Sequence, residues 1–396
     1  MTAPHSAAPG LRSSTARWFL PAVIALLLVE IANVWFVMPL PGSQRMRSVE
    51  LAYAIYQWRW VARGIVGVAL LVGLLGWWRA GGWRRWAAPL LLSVVGGVTW
   101  MVNFRMAADR MFEQPRTLTI AAAQDNKVAR DRLVVGVEVN GTARAYPLQF
   151  IGYHHQVRDT VGGEPIMVSY CTVCRTGRVY SPVVDGEVDE FRLVGMDHFN
   201  AMFEDARTGS WWRQANGEAV TGPLKGRVLR ELPSLQVTLG EWMALHPTSL
   251  VMQADPAFVG QYARDYAFEN GTSRSTLTGT DTSSWGDKSW VVGIAIAGQA
   301  KAFDWNQLKR QRVINDEVGG RPVVLVLATD GASFYAYERP QPELVFSVVG
   351  DSLMAGGKSW PVSGQLLGGL RRIPASQEFW HSWREFNPGT TRATGT

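Results

Sequence analysis

The chain contains two copies of one sequence unit. Residues 134–165 ("VVGVEVNGTARAYPLQFIGYHHQVRDTVGGEP") align without gaps with residues 291–322 ("VVGIAIAGQAKAFDWNQLKRQRVINDEVGGRP"), and 11 of the 32 positions are identical. Self-similarity of this length is typical of a duplicated structural unit. Short alternating runs joined by Asn140-Gly141 and by Asp185-Gly186 predict β-hairpins in the first copy. We therefore predict an α+β, β-rich fold, built as a tandem duplication of one β-hairpin-rich unit.

The limits of the repeat set the predicted domain boundaries. We assign 117–250 to the first repeat and 289–390 to a second, degenerate repeat, with 251–288 as a bridging segment. Residues 1–116 have a different character, because long apolar runs replace the short alternating ones. We predict that this part is a membrane region.

Three apolar runs lie in the membrane region, near 18–38, 61–78 and 86–102. The first is long enough to cross a bilayer, and tryptophans cluster at the ends of the runs, as they do at membrane interfaces. We predict about three transmembrane α-helices in a multi-pass protein of the cell membrane, with the lipid bilayer as a partner. Arginines flank the runs on both predicted sides, so their count does not determine the orientation.

Glu30 lies inside the first apolar run. An ionisable group at this depth is costly, and it marks either a functional group or a buried pair between packed helices. Both interpretations stay open at this stage.

The distribution of charge argues against a nucleic-acid partner. The formal net charge is +6, yet residues 1–116 contain twelve arginines and four acidic residues, so the remainder is slightly acidic. A nucleic-acid interface would need the basic excess on the folded domain. Motifs of nucleotide-binding proteins, serine hydrolases and zinc proteases do not occur. No haem attachment is expected either, because Arg175 stands where the haem motif needs histidine.

The duplication separates residues of the fold from residues of a site. Residues that both copies share, such as Trp242 and Trp383, are expected to serve the fold. Cys171 and Cys174 are the only cysteines of the chain and occur in the first copy alone, in "SYCTVCRTG". Their aligned counterparts are Ala328 and Gly331. A Cys-x-x-Cys pair can form a disulfide, act as a redox pair or bind a soft metal ion, so the first copy is predicted to hold the functional site.

Other side chains of the first copy could complete a metal site. His154 is the main candidate, because neutral imidazole suits zinc and copper. Additional candidate ligands with imidazole or thioether groups are His155, His198 and Met202. Neighbours predicted to support the cysteines are Asp159, Tyr170 and Arg175. No catalytic residue is assigned from these patterns.

The ordered motifs resemble a known family. "YHHQVRDTVGGEPIMVSYCTVCRTGRVYSPVVDG", "DARTGSWWRQANGEAVTGPLKG" and "LPSLQVTLGEWMALHP" resemble the domain-of-unknown-function family 3179 over roughly residues 120 to 388. The residues that match its pattern are His154, Asp159, Tyr170, Cys171 and Cys174. The residues that depart from it are His155, Arg158, Thr172 and Arg175. The resemblance implies no established activity, but it implies an exported or membrane-attached domain, and hence a C-terminal domain outside the cytoplasm.

Three functional hypotheses follow from these patterns. The first is a soft-metal site, for copper or zinc, formed by Cys171 and Cys174 with His154. The second is a reversible disulfide that acts on extracytoplasmic thiols. The third is a non-catalytic binding or scaffold domain in which a disulfide is structural. The partner or substrate outside the cytoplasm stays unidentified, and no nucleotide cofactor is expected.

Overall fold

The structure is a computed structural model, and it describes residues 15–46, 48–363 and 370–393. The chain divides into two compact units. The first unit contains the helices that precede Phe112 together with the short segment Val194–Asp197, and the second contains the rest of the chain.

Long apolar helices form the first unit. They are α1 (Phe19–Trp35), α2 (Val49–Ala80) and α3 (Arg84–Trp100), followed by the short α4 (Ala108–Met111). A 3₁₀ turn at Ala16–Trp18 extends α1, and a π-helical turn at Met101–Arg105 extends α3. With these extensions, each of the three is long and apolar enough to cross a membrane, which confirms the prediction of three such helices.

The buried carboxylate of Glu30 is paired. Arg63 of α2 donates through Nε and Nη2 to the two oxygens of Glu30, both at 2.7 Å. Asn103, in the turn after α3, donates its side-chain amide to the same carboxylate at 2.9 Å. Glu30 is 0% exposed. Burial of a charge in an apolar environment is tolerated when it is paired in this way, so we assign Glu30 the role of joining the three helices.

The second unit is rich in strands, as predicted. Its first half contains, in chain order, β1 (Ile120–Ala121), β2 (Leu133–Val139), β3 (Thr142–Pro147), α5 (Leu148–His154), β4 (Gln156–Val161), β5 (Glu164–Cys171), β6 (Thr176–Tyr180), β7 (Val183–Val184), β8 (Glu187–Val188), β9 (Phe191–Asp197), β10 (Asn200–Asp205), β11 (Trp211–Arg213), β12 (Ala219–Thr221), β13 (Ser234–Thr238), α6 (Leu239–Leu245) and β14 (Leu250–Met252).

The second half repeats much of this succession. It contains β15 (Trp290–Ile296), β16 (Gln299–Asp304), α7 (Trp305–Gln311), β17 (Val313–Val318), β18 (Arg321–Leu327), β19 (Phe334–Glu338), β20 (Ser347–Val349), β21 (Ser352–Ala355), β22 (Lys358–Pro361), β23 (Arg371–Arg372), β24 (Ser376–Phe379), α8 (Trp380–Phe386) and β25 (Thr391–Arg392).

The strand orders of the two halves correspond. One sheet has the order β1-β14-β3-β2-β13, and its counterpart has the order β25-β16-β15-β24. In both sheets the two strands of the hairpin pair antiparallel. The last strand of each copy, β14 or β25, pairs in parallel with the second strand of that hairpin, β3 or β16. The sheets β4-β5-β6 and β17-β18-β19-β23 correspond in the same way.

One glycine and one tryptophan occupy equivalent places in the two copies. A Cβ on Gly136 would lie 2.3 Å from the Trp242 ring, and a Cβ on Gly293 would lie 2.1 Å from the Trp383 ring. Only glycine therefore lets the indole pack directly on the strand. Both tryptophans are buried, as expected for shared residues that serve the fold.

Each copy contacts the other through the turn between two strands. The Phe379 N–H, at the end of β24, donates to the carbonyl oxygen of Cys174 at 2.9 Å. In return, the Thr238 N–H, at the end of β13, donates to Ser333 Oγ at 2.9 Å, in the turn between β18 and β19. Both β13 and β24 are sheet edges, so each copy presents its edge strand to the other's turn. This exchange places the cysteines where the two copies meet.

Candidate functional site

The two cysteines lie side by side and are not bridged. Cys171 ends β5, and Cys174 lies in the turn before β6. Both are 0% exposed and unoxidised. Their sulfurs face the carbonyl oxygen of Phe199, at 3.6 Å from Cys171 Sγ and 3.0 Å from Cys174 Sγ. Because both sulfurs contact the same carbonyl oxygen, one buried pocket holds both.

The other side of the pocket comes from residues near and within the second copy. Lys288 Nζ donates to the carbonyl oxygens of Val173 and Leu277, both at 2.6 Å. His381 Nε2 lies 3.2 Å from the same Val173 oxygen. Since Val173 stands between the cysteines, these two side chains hold the turn that carries both thiols.

The surroundings drive the pKa values of the two thiols apart. Burial by itself raises the pKa of Cys171. The neighbouring Cys174, the main chain of Ala201 and the charge of Lys288 outweigh this effect, so the pKa lies below its ordinary value. Burial and the neighbouring Cys171 raise the pKa of Cys174 well above its ordinary value. Cys171 is therefore the first of the two to ionise.

Burial also determines the charge of the groups around the thiols. It lowers the pKa of Lys288, while the two cysteines oppose this shift. It lowers the pKa of His381 to about 4, with a further contribution from Lys288. At neutral pH the imidazole of His381 is therefore uncharged, and the charge of Lys288 is the one that lowers the pKa of Cys171.

Replacing Lys288 with methionine is expected to slow alkylation of Cys171 at neutral pH about tenfold. Removing the ammonium charge raises the pKa of Cys171, so the profile of alkylation rate against pH moves to higher pH. Peptide mass spectrometry after timed exposure to iodoacetamide measures that rate. Lys301→Met is the control, because Lys301 pairs with Asp316 in the second copy. An unchanged pH profile in the Lys288 variant would contradict this role.

His154 is engaged with groups other than the cysteines. Its Nδ1 lies 2.5 Å from the carbonyl oxygen of Glu113, and its Nε2 lies 2.8 Å from the hydroxyl of Tyr262. The carbonyl can only accept, so Nδ1 carries the proton and Nε2 accepts from Tyr262. Burial lowers the pKa of His154. In the part of the chain that the structure describes, no three His, Cys, Asp or Glu side chains are grouped as a metal site.

The additional candidate ligands have contacts of their own. His155 adopts a left-handed conformation at the end of α5, contacts the Tyr153 carbonyl through Nδ1 at 3.0 Å and packs on Phe112. His198 Nε2 lies 3.6 Å from a carboxylate oxygen of Glu385. Met202 is buried in β10.

Of the predicted supporting residues, Arg175 directly follows Cys174 and joins three parts of the second unit. It donates to Gln377 Oε1 at 2.8 Å and to the carbonyl oxygens of Phe268 and Glu269 at 2.9 and 3.1 Å. Its guanidinium also lies 3.5 Å from the centre of the Trp290 ring. These contacts connect the cysteine turn to the bridging segment and to the second copy.

The other two supporting residues serve the first copy. Asp159 accepts a hydrogen bond from Tyr146 at 2.7 Å and pairs with Arg144. Tyr170 is fully buried, and burial raises its pKa. Its ring packs edge-on against Phe268 at 6.1 Å.

The sequence patterns did not indicate Lys288, at the end of the bridging segment, or His381 of the second copy. Lys288 aligns with Asp131 of the first copy, and His381 aligns with Gly240. Each position thus differs in chemistry between the copies, as the cysteine positions do. Comparing all aligned positions, including those where the reactive side chain lies outside the first copy, would have selected Lys288 and His381.

The comparisons with known proteins bear on the whole second unit. The profile of the family described as "Protein of unknown function (DUF3179)" matches residues 112–390. No curated protein and no solved structure matches the chain significantly. The matched segment covers well over half of the chain and contains both copies and the cysteine pocket. The chain therefore belongs to the DUF3179 family.

Proposed function

We propose that the second unit is a membrane-attached thiol-disulfide redox domain, in which Cys171 and Cys174 form a reversible disulfide. The observation that carries this proposal is the pair of adjacent, unbridged thiols with pKa values on opposite sides of the ordinary one. A thiolate of lowered pKa is the attacking group in disulfide exchange, and a second thiol nearby resolves the mixed disulfide. Lys288 stabilises the attacking thiolate.

We place this domain outside the cytoplasm. Disulfides form and persist in oxidising compartments. Three membrane crossings would put the N-terminus and the second unit on opposite sides, with the N-terminus in the cytoplasm. The substrate class is then an extracytoplasmic disulfide or thiol.

Burial of the pair limits what can react with it. Both thiols are 0% exposed, and Lys288, His381 and the Phe379 N–H hold their turn. A substrate must therefore be small or must displace this turn from the second copy. We expect reaction rates that depend on opening of the turn as well as on thiolate formation.

A two-coordinate copper(I) site is the second candidate function. Both sulfurs contact the carbonyl oxygen of Phe199, which places them within reach of one ion, and thiolates favour copper(I). The charge of Lys288 would offset the negative charge of such a complex. Zinc would need two further ligands, and His154 could serve only by giving up its contacts with Glu113 and Tyr262.

The test uses the full-length protein, purified in detergent without oxygen. We expect two titratable thiols, no stoichiometric metal, and a disulfide that forms and is reduced reversibly in glutathione buffers. Cys174→Ser is the matched variant, because it keeps Cys171 and should accumulate a mixed disulfide with glutathione.

Two outcomes would contradict the redox proposal. Stoichiometric copper that is absent from a Cys171→Ser/Cys174→Ser variant would support the copper(I) site instead. A metal-free disulfide that resists glutathione would support a structural disulfide in a non-catalytic binding domain.

A further inference from the structure

A cleft of about 690 Å³ lies between the two copies. Sites for small ligands typically have volumes of about 300–1,000 Å³ and mostly apolar walls with a few polar groups. The large apolar side chains of this cleft are Leu235, Trp242, Phe334, Ile373, Trp383 and Phe386. The cysteines are not among its described lining residues, so a function of the cleft does not depend on the redox function proposed above.

Arg372 of β23 brings a positive charge to the wall of this cleft. Its Nε and Nη2 are buried, and no described residue offers either nitrogen a hydrogen-bond acceptor. The guanidinium lies 5.3 Å from the centre of the Tyr335 ring, which offers a cation–π contact but no negative charge. Burying a cation without hydrogen-bond acceptors is costly, and an anion in the cleft would remove this cost.

The first copy has an ion pair at the places that correspond to Arg372 and Tyr335. Arg178 of β6 pairs with Glu378 and lies 3.5 Å from a carboxylate oxygen of Glu231. In the alignment of the copies, Arg178 corresponds to Tyr335, and Glu231 corresponds to Arg372. The second copy therefore has an arginine where the first has its carboxylate, and a tyrosine where the first has its arginine.

The edge strand β13 gives the same cleft a row of main-chain groups. The N–H of Leu239, which follows β13, donates to the carbonyl oxygen of Arg132 at 2.8 Å, in the register of the β13–β2 pair. Hydrogen-bonded and non-hydrogen-bonded residue pairs alternate along antiparallel strands, so Ser234 and Gln236 direct their N–H and C=O groups away from β2. Both residues line the cleft. An open strand edge of this kind can pair with an added extended chain.

We propose that this cleft binds a short, extended peptide with a free C-terminal carboxylate. The carboxylate binds the guanidinium of Arg372, the main chain of the peptide pairs with β13 at Ser234 and Gln236, and the apolar walls contact its side chains. A single negative charge suits the cleft better than a doubly charged phosphate, because the carboxylates of Glu231 and Glu378 already line it.

The test uses the full-length protein in detergent and a mixed-sequence library of N-acetylated tetrapeptides with free carboxyl termini. Equilibrium dialysis followed by mass spectrometry measures the affinity of each retained peptide. We expect amidation of the C-terminus to weaken the affinity of the retained peptides about 30-fold, because it removes the charge that pairs with Arg372. Methylation of the main-chain nitrogens prevents pairing with β13 and should weaken the affinity about tenfold.

Two variants locate the carboxylate in the cleft. Arg372→Met should weaken the binding of the retained peptides by about the same 30-fold as amidation. Arg371→Met is the matched control, because Arg371 pairs with Glu338 at 3.5 Å and its side chain is 71% exposed. This control should leave the affinity unchanged.

Thermal unfolding without peptide separates binding from a structural role of the guanidinium. Arg372→Met should unfold at a temperature no lower than the wild type, because it removes a buried charge that has no anionic partner. Arg178→Met breaks a buried ion pair and should unfold at a lower temperature. A clear loss of stability in Arg372→Met would show that Arg372 serves the fold and would overturn the site.

The binding measurements can overturn the proposal in three further ways. The wild-type protein may retain no peptide, the acid and amide libraries may bind equally, or Arg372→Met may bind as the wild type does. Equal binding of the N-methylated peptides would overturn the pairing with β13.

Discussion

Replacing Arg175 with methionine is expected to lower the free energy of unfolding of the second unit by about 3–5 kcal/mol. The guanidinium is fully buried and donates to Gln377 and to the carbonyl oxygens of Phe268 and Glu269. Methionine fills part of the space but donates no hydrogen bond, so three buried acceptors lose a partner. The substitution also removes the cation–π attraction between the Arg175 guanidinium and the Trp290 ring.

Thermal or denaturant unfolding of the full-length protein, followed by tryptophan fluorescence, measures this change. Arg158→Met is the matched control, because Arg158 pairs with Glu190 and both side chains are substantially exposed. We expect that variant to stay within about 0.5 kcal/mol of the wild type. Equal stabilities of the two variants would show that Arg175 does not join the copies as its contacts indicate.

Replacing Glu30 with leucine is expected to destabilise the helical unit by about 3–5 kcal/mol. Arg63 and Asn103 then lose their shared partner, and the charge of Arg63 stays unpaired between apolar helices. Titration of the detergent-solubilised protein with a denaturing detergent, followed by far-ultraviolet circular dichroism, measures the loss.

The double variant Glu30→Leu/Arg63→Leu provides the decisive comparison. Replacing both members of a buried pair by apolar residues is often neutral or stabilising, so the double variant should recover most of the lost stability. If it is as unstable as Glu30→Leu alone, the pairing does not account for the two charged residues inside the helices, and Glu30 has another role.

The duplication predicted the fold well because it was recognised from local sequence patterns, and these patterns determine strands and turns. Alternating runs and turn signals occur at matched places in both copies, and they become matched hairpins such as β2-β3 and β15-β16. The tryptophans of α6 and α8 were expected to serve the fold, and they pack on glycines in the equivalent strands. Apolar runs likewise predicted the three long helices, because length and hydropathy decide whether a segment can cross a membrane.

The candidate site was only half predictable. The cysteines were visible as a difference between the copies, but Lys288 and His381 hold the cysteine turn through tertiary contacts, which no local pattern records. His154 is near Cys171 along the chain and was therefore grouped with it. Its partners Glu113 and Tyr262 come from segments that are remote in sequence, and tertiary contacts of this kind decided its position.

The reciprocal contact between edge strand and turn has a consequence for how such a site can arise. In a protein with one copy per chain, the same contact would be an isologous dimer interface, with the same turn present twice. Both turns would then carry cysteines, or neither would. Joining two copies in one chain removes that constraint of symmetry. One turn can hold the thiols, while the other, centred on Asp330, binds Thr238 and Ser333 and keeps only the structural half of the arrangement.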